Sequence, residues 1–145
     1  MDLTYQDQDE ALWSLGRISR STLNAHDRVK DLFEIMQAVA GNQKFRHIWS
    51  VTTATDELLE GVACGQPFDI VATATSQDSQ GKAICYVVVI DPVTQERREV
   101  ARFLVADSGE IQYANGELMH SATDDKAPVL LLANISALVL APRPE

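Results

Sequence analysis

Eight consecutive residues from Ala83 to Ile90 carry no charge and are rich in β-branched side chains. An extended chain alternates its side chains between two faces. Here Ile84, Tyr86, Val88 and Ile90 fall on one face and Cys85, Val87 and Val89 on the other. A strand apolar on both faces belongs in the middle of a covered sheet, so the fold is expected to be built around this segment. Upstream, Phe68 to Ser76 is rich in Thr and Val, and Gln77-Asp78-Ser79-Gln80-Gly81-Lys82 supplies turn residues. The two runs form a β-hairpin.

The next segment decides the fold class. Asp91 to Glu96 reads as a hairpin turn leading to a strand Arg97 to Ala106, with Asp107-Ser108-Gly109 turning into a strand Glu110 to Ala114. That gives an antiparallel meander. Alternatively Asp91 caps a helix with Pro92 at its first position, a stripe of Val93, Val100, Phe103 and Leu104, and Gly109 as its stop, giving a parallel β-α-β unit. The meander is preferred because Phe103-Leu104-Val105 is β-prone and turn signals recur at hairpin spacing.

Before the sheet, residues 8 to 20 place Leu12, Trp13, Leu15 and Ile18 at near-helical spacing, with acidic residues in front and Arg17 and Arg20 behind, as the helix dipole favours. Ser21, Thr22 and Asn24 offer caps for a second helix with the stripe Val29, Leu32, Phe33, Met36, Val39 and Ala40, ending at Gly41-Asn42. From Phe45 to Thr52 the pattern alternates, with His47, Trp49 and Val51 on one side, and predicts a strand. Thr55-Asp56-Glu57 before Leu58, Leu59 and Val62, with Gly65 as a stop, predicts a short third helix. After Gly116, residues 117 to 126 are polar and loop- or helix-like. The apolar run Val129 to Ala141 fits a buried helix or an edge-covering strand equally, because periodicity is silent when nearly every position is apolar.

The chain of 145 residues, with no break in composition, is expected to form a single domain, 1–145. Its net charge of −9 repels phosphates and anionic lipid, so neither nucleic acid nor a membrane is expected as a partner. The basic cluster Arg97, Arg98 and Arg102 is interleaved with Glu96 and Glu99 and reads as a solvated face of mixed charge. Cys64 and Cys85 sit in apolar surroundings without metal spacing, and Met1 to Tyr5 lacks the features of a signal peptide. Buried thiols and a cytoplasmic location are the expectation.

No catalytic motif is legible. There is no Gly-flanked nucleophile elbow, the glycines are scattered singly, and His26, His47 and His120 stand apart in the sequence, so no metal or other cofactor is expected. Four residues are candidates for ligand binding. His47 and Trp49 place an imidazole beside an indole on one side of a strand. Asp69, between Phe68 and Ile70, would have a raised pKa if it faced an apolar cavity. Tyr113 is an amphipathic residue suited to a pocket rim, as are Trp13 and Tyr86.

With the meander, the order helix, helix, strand, short helix and long antiparallel strands, closing with Phe103 to Ile111, resembles the NTF2-like cone fold over about residues 8 to 115. That superfamily holds small-molecule isomerases, cyclases and dehydratases beside non-catalytic binding and dimerisation modules, so the resemblance implies a pocket without choosing a reaction. Residues Phe103 to Asn115 also resemble the opening hairpin of a PAS sensor domain, with about 30 residues following. Val87 to Pro92, Tyr113 to Gly116 and Phe68 to Val71 resemble pieces of a response-regulator receiver, in which Ala74 stands where the phosphoacceptor Asp belongs. The sequence therefore points to an α+β domain, N-terminal helices on a curved antiparallel sheet, with a doubly wound α/β receiver-like fold as the alternative. The expected function is non-catalytic: binding a small apolar ligand or a protein partner, as a homodimer. The alternatives are a small-molecule isomerase, cyclase or dehydratase and a degenerate signalling adaptor.

Overall fold

The computed structural model describes residues 7–142; Met1 to Tyr5, read above for a targeting signal, lie outside the described residues. The architecture is α+β. A long helix α1 (Gln8–Ala40) precedes seven strands, β1 (Trp49–Ala54), β2 (Leu58–Ala63), β3 (Gln66–Gln77), β4 (Gln80–Ile90), β5 (Arg97–Val105), β6 (Ile111–Gln112) and β7 (Leu118–His120), and α2 (Ala127–Val139) follows. The strands form one antiparallel sheet in sequence order, curled around the two helices. Arg97 to Val105 is thus a strand laddered to β4, which excludes the doubly wound alternative. The ambiguous run from Val129 is helical, with Pro128 in its first turn. Among the described residues no helix is long and apolar enough to cross a membrane.

Three local expectations are corrected. The two N-terminal helices are one helix of 33 residues. Asp7 caps it by accepting from the main-chain N–H groups of Asp9 and Glu10, at 2.8 and 3.2 Å. Ser21, expected to cap a second helix, instead lies inside this one with its hydroxyl turned back to the carbonyls of Ile18 and Arg17, at 3.0 and 3.2 Å. The expected helix after Thr55 is strand β2. Thr55 Oγ1 accepts from the N–H of Glu57 and Leu58 to make a turn, and Leu59, Gly61 and Ala63 then alternate inward against β1 and β3. Cys64 and Gly65 both adopt positive φ, the geometry of a two-residue primed hairpin turn, and Asp78 and Ser79 repeat it between β3 and β4. Finally, β1 begins at Trp49, and residues 41 to 48 form turns after the helix.

The core lies on the concave side. Phe68, Ile70 and Ala72 of β3, Ala83, Cys85, Val87 and Val89 of β4, and Phe103 and Val105 of β5 meet Ala25, Val29, Leu32, Phe33 and Met36 of α1 and Leu131, Leu132 and Ile135 of α2. Each large side chain here is worth about 1.5–3 kcal/mol of burial. Trp49 fixes α2 to the far end of the sheet: its indole N–H donates to Ser136 Oγ at 2.7 Å, and that hydroxyl donates to Leu132 O. On the convex side Lys82 is buried and donates to Gln77 Oε1 and Gln112 Oε1, at 2.9 and 2.8 Å, pinning the short β6 to the β3–β4 hairpin. Ile84, Tyr86, Val88 and Ile90 are half-buried on that same side. No described element packs over them, so only one face of β4 is covered by another layer.

The closest approach between helix and sheet is at Gly81, whose N–H donates to Ser21 Oγ at 2.8 Å. A Cβ at Gly81 would run into Thr22 Oγ1, Ser21 Oγ and the main-chain carbonyl of Ile18. Gly81→Ala is therefore expected to cost about 1–3 kcal/mol through overpacking against a backbone that cannot retreat. Ser21→Ala, which strands a buried N–H, is expected to cost about 1–3 kcal/mol by a different route. Urea denaturation measures both, and wild-type midpoints for the two variants would contradict this account of the contact.

Candidate functional site

Strand β5 is laddered to β4 along its length, but on its other side β6 meets only Leu104 and Val105. Among the described residues, 97 to 103 therefore have no strand opposite them on that side. The cause is local: the chain leaves β6 through a turn in which Tyr113 N–H donates to Glu117 O and Asn115 Oδ1 accepts from Glu117 N–H, with Gly116 at φ 92°. The returning strand β7 pairs with β6 and never reaches β5. Antiparallel partners bond at every second residue. Ala106 bonds Glu110, and the main-chain groups of Leu104 and then Arg102 face the same way, toward the open side.

Helix α2 runs beside this open edge and presents Leu131, Asn134, Ile135 and Leu138, spaced as one helical face. Ala101, Arg102 and Phe103 form the strand wall, and Tyr113, Met119 and His120 close one end. The groove they enclose has a volume of about 460 Å³, within the range of ligand sites. Its floor is apolar: Phe103, Leu131 and Ile135 are buried, while Leu138 is 44% exposed at the rim.

His120 is the polar residue of interest. Its Nδ1 lies 3.5 Å from Asp124 Oδ2, one helical turn later in sequence, and its side chain is largely buried. Its Nε2 is buried and has no hydrogen-bond partner among the described residues. A buried polar atom left unmatched costs free energy until something bonds to it. Arg102 sends its guanidinium elsewhere, in two bonds to the Glu99 carboxylate at 2.7 and 2.9 Å and over the Tyr86 ring. The hydrogen bond to Glu99 and its negative charge push the Arg102 pKa further up, so the residue stays cationic.

The four residues singled out from the sequence are dispersed. His47 is exposed on the turn before β1. Trp49 is in the core, bonded to α2 and tilted against Phe45. Asp69 is buried on the convex side, where it accepts from Arg97 at 2.7 Å. Tyr113 alone lines the groove, half-exposed. Sequence reasoning passed over His120, Asp124, Asn134 and Ile135. The signals available were the four-residue spacing of His120 and Asp124 and the helical spacing of Leu131, Asn134, Ile135 and Leu138. Among the described residues no three His, Cys, Asp or Glu side chains converge as a metal site.

The cysteines differ in kind. Cys85 is fully buried under α1, and burial pushes its thiol far up from the ordinary range, whereas Cys64 is exposed on the β2–β3 turn. Because only the thiolate attacks, a disulfide reagent is expected to titrate one thiol per native chain and two after denaturation. Two rapidly reacting thiols in the native protein would mean that the sheet opens at β4. No protein-family model, no curated protein and no solved structure matches this chain, so its functional reading rests on the groove itself.

Proposed function

We propose that this protein is a non-catalytic interaction module that binds an extended, apolar segment of a protein partner by adding it as a strand to the edge of β5. The observation that carries the reading is an unpaired stretch of strand lying directly beside an apolar groove walled by a helix. A partner segment laid there satisfies the outward main-chain groups around Arg102, and those bonds give affinity without regard to sequence. Every second side chain of the segment then enters the groove against Phe103, Leu131, Ile135 and Met119, which selects for apolar residues. A hydroxyl or amide donor in the segment can satisfy the unmatched Nε2 of His120 once groove-lining side chains move aside.

The filled concave face supports the same reading. In a cone with an internal ligand chamber the inner face is open, whereas here α1 and α2 fill it with Phe33, Met36 and Leu132 against Phe68, Ile70 and Val87. The chain's negative charge favours a partner segment that is neutral or basic outside its apolar positions. Unwanted pairing is limited by the upper part of the edge, where Val100 forms a bulge against Val87 and Val88 and Arg97 and Glu99 carry charge. The docking stretch is therefore short, centred on residues 101 to 103.

The test is an NMR titration with synthetic hexapeptides alternating Val or Ile with Lys or Thr. Binding is expected to move the amides of Ala101 to Phe103 together with Met119, His120 and the Leu131 to Leu138 face. N-methylation of alternate peptide nitrogens is expected to abolish it, and Ile135→Glu to weaken it about tenfold or more. Shifts along α2 with no change at the β5 amides, and indifference to N-methylation, would favour a small apolar ligand in the groove instead. Shifts only elsewhere would refute both readings.

A further inference from the structure

Helix α2 carries no charged side chain from Ala127 to Val139, and Asn134 and Ser136 are its only polar residues. A helix apolar on all sides belongs in an interior. Its own chain, however, covers only the side that bears Leu131, Leu132, Ile135 and Val139. On the opposite side Leu130, Ala133, Asn134, Ala137 and Leu138 are exposed, the two leucines by 45% and 44%. Leu130, Asn134 and Leu138 follow one another at four-residue intervals and form a single ridge along this outer surface. Ala133 and Ala137 lie beside the ridge and leave a shallow furrow next to it.

We infer that α2 packs antiparallel on α2 of a second copy of the chain, about a twofold axis at Asn134. The ridge reads the same in both directions, because Leu130 and Leu138 lie four residues on either side of Asn134. Turned about the twofold, the ridge of each copy enters the alanine furrow of the other. Leu130 of one copy then comes against Leu138 of its partner, and the two Asn134 amides meet side by side. A primary amide both donates and accepts, so a second Asn134 is a complete partner for the first. This self-complementarity selects a second copy as the occupant. Charge agrees with it. Two chains of net charge −9 repel each other, and α2 brings them together on a surface to which neither contributes a charge. The exposed residues of α2, with Tyr113 at the neighbouring rim, present roughly 500 Å² per copy, so a pair removes about 1,000 Å² from water, the size of a weak and reversible association. The inference does not rest on strand addition at β5, whose groove takes in only Asn134 and Leu138 of this face.

Sedimentation velocity on the full chain from about 5 to 500 μM, around the affinities of reversible dimers, tests it. The expected result is a concentration-dependent monomer–dimer equilibrium. Ala133→Glu/Ala137→Glu fills the furrow with charge and is expected to be monomeric throughout, with an unfolding midpoint close to that of the wild type because both alanines are exposed. Asn134→Asp and Asn134→Lys each set like charges together at the twofold and are expected to weaken the dimer about tenfold. An equimolar mixture of these two variants is expected to associate more strongly than either alone, which only a contact of residue 134 with its own copy produces. A wild-type chain that stays monomeric over the whole range overturns the inference and leaves the outer face of α2 to a different partner. So does a dimer indifferent to Ala133→Glu/Ala137→Glu, or a mixture of the residue 134 variants no stronger than its components.

Discussion

The position of α1 on β4 governs the rest of the molecule. A helix can lie this close to a strand only where the strand has no side chain, and Gly81 supplies that gap while Ser21 satisfies the N–H that the approach would otherwise bury unmatched. With the helix held at that point, its stripe runs along the inner faces of β3 and β4, and Ala25, Val29 and Phe33 cover the segment whose apolar run first defined the fold. The same contact leaves α2 to fill what remains of the concave side, toward β5, which is where the groove forms.

Legibility followed the range of the interaction responsible. Ala83 to Ile90 announced a central strand because its own alternation carries the information, and the antiparallel meander followed from turn residues that act over four positions. Ser21 could not be read in the same way. Locally it is a good cap, and what makes it an interior helix residue is the backbone of Gly81, sixty positions away. Leu58 to Ala63 looked helical because Thr55, Asp56 and Glu57 mimic an acidic first turn, whereas Cys64 and Gly65 adopt the left-handed pair that closes a hairpin. For the groove, the decisive fact is that β6 ends after two residues. That ending is made by the turn from Tyr113 to Glu117, and nothing in the composition of β5 reveals that its edge is left open. His120 became visible only when Asp124 and α2 were placed around it.

The two faces of the sheet use their apolar content differently. On the concave side it is sealed by helices. On the convex side Ile84, Tyr86, Val88 and Ile90 are shielded by their neighbours in the sheet and by long polar side chains: Arg102 lies over the Tyr86 ring, Arg97 reaches across to Asp69, and Lys82 lies between two glutamines. Such side chains cover apolar surface with their methylene stems and keep water at their heads. The convex face is thus dressed by charge. Among the described residues the open edge of β5 below Val100 has no comparable covering.

The wall of the groove that α2 provides is the less firmly built of the two. At 13 residues the helix is near the length at which isolated helices are marginal, and neither a side-chain cap at Lys126 nor a basic residue in its last turn supports it. Its position depends on packing and on the single bond from the Trp49 indole to Ser136. The strand wall, by contrast, is laddered along its length to β4, which is itself laddered to β3. His120 Nε2 is out of reach of water while the groove is in its present shape, so a partner that bonds to it must displace groove-lining side chains to do so. Of the two walls, α2 is the one whose displacement breaks fewer bonds. On the reading proposed above, recognition at this site is a small outward shift of α2 against a fixed strand, with the unmet hydrogen bond of His120 as part of what favours the bound state.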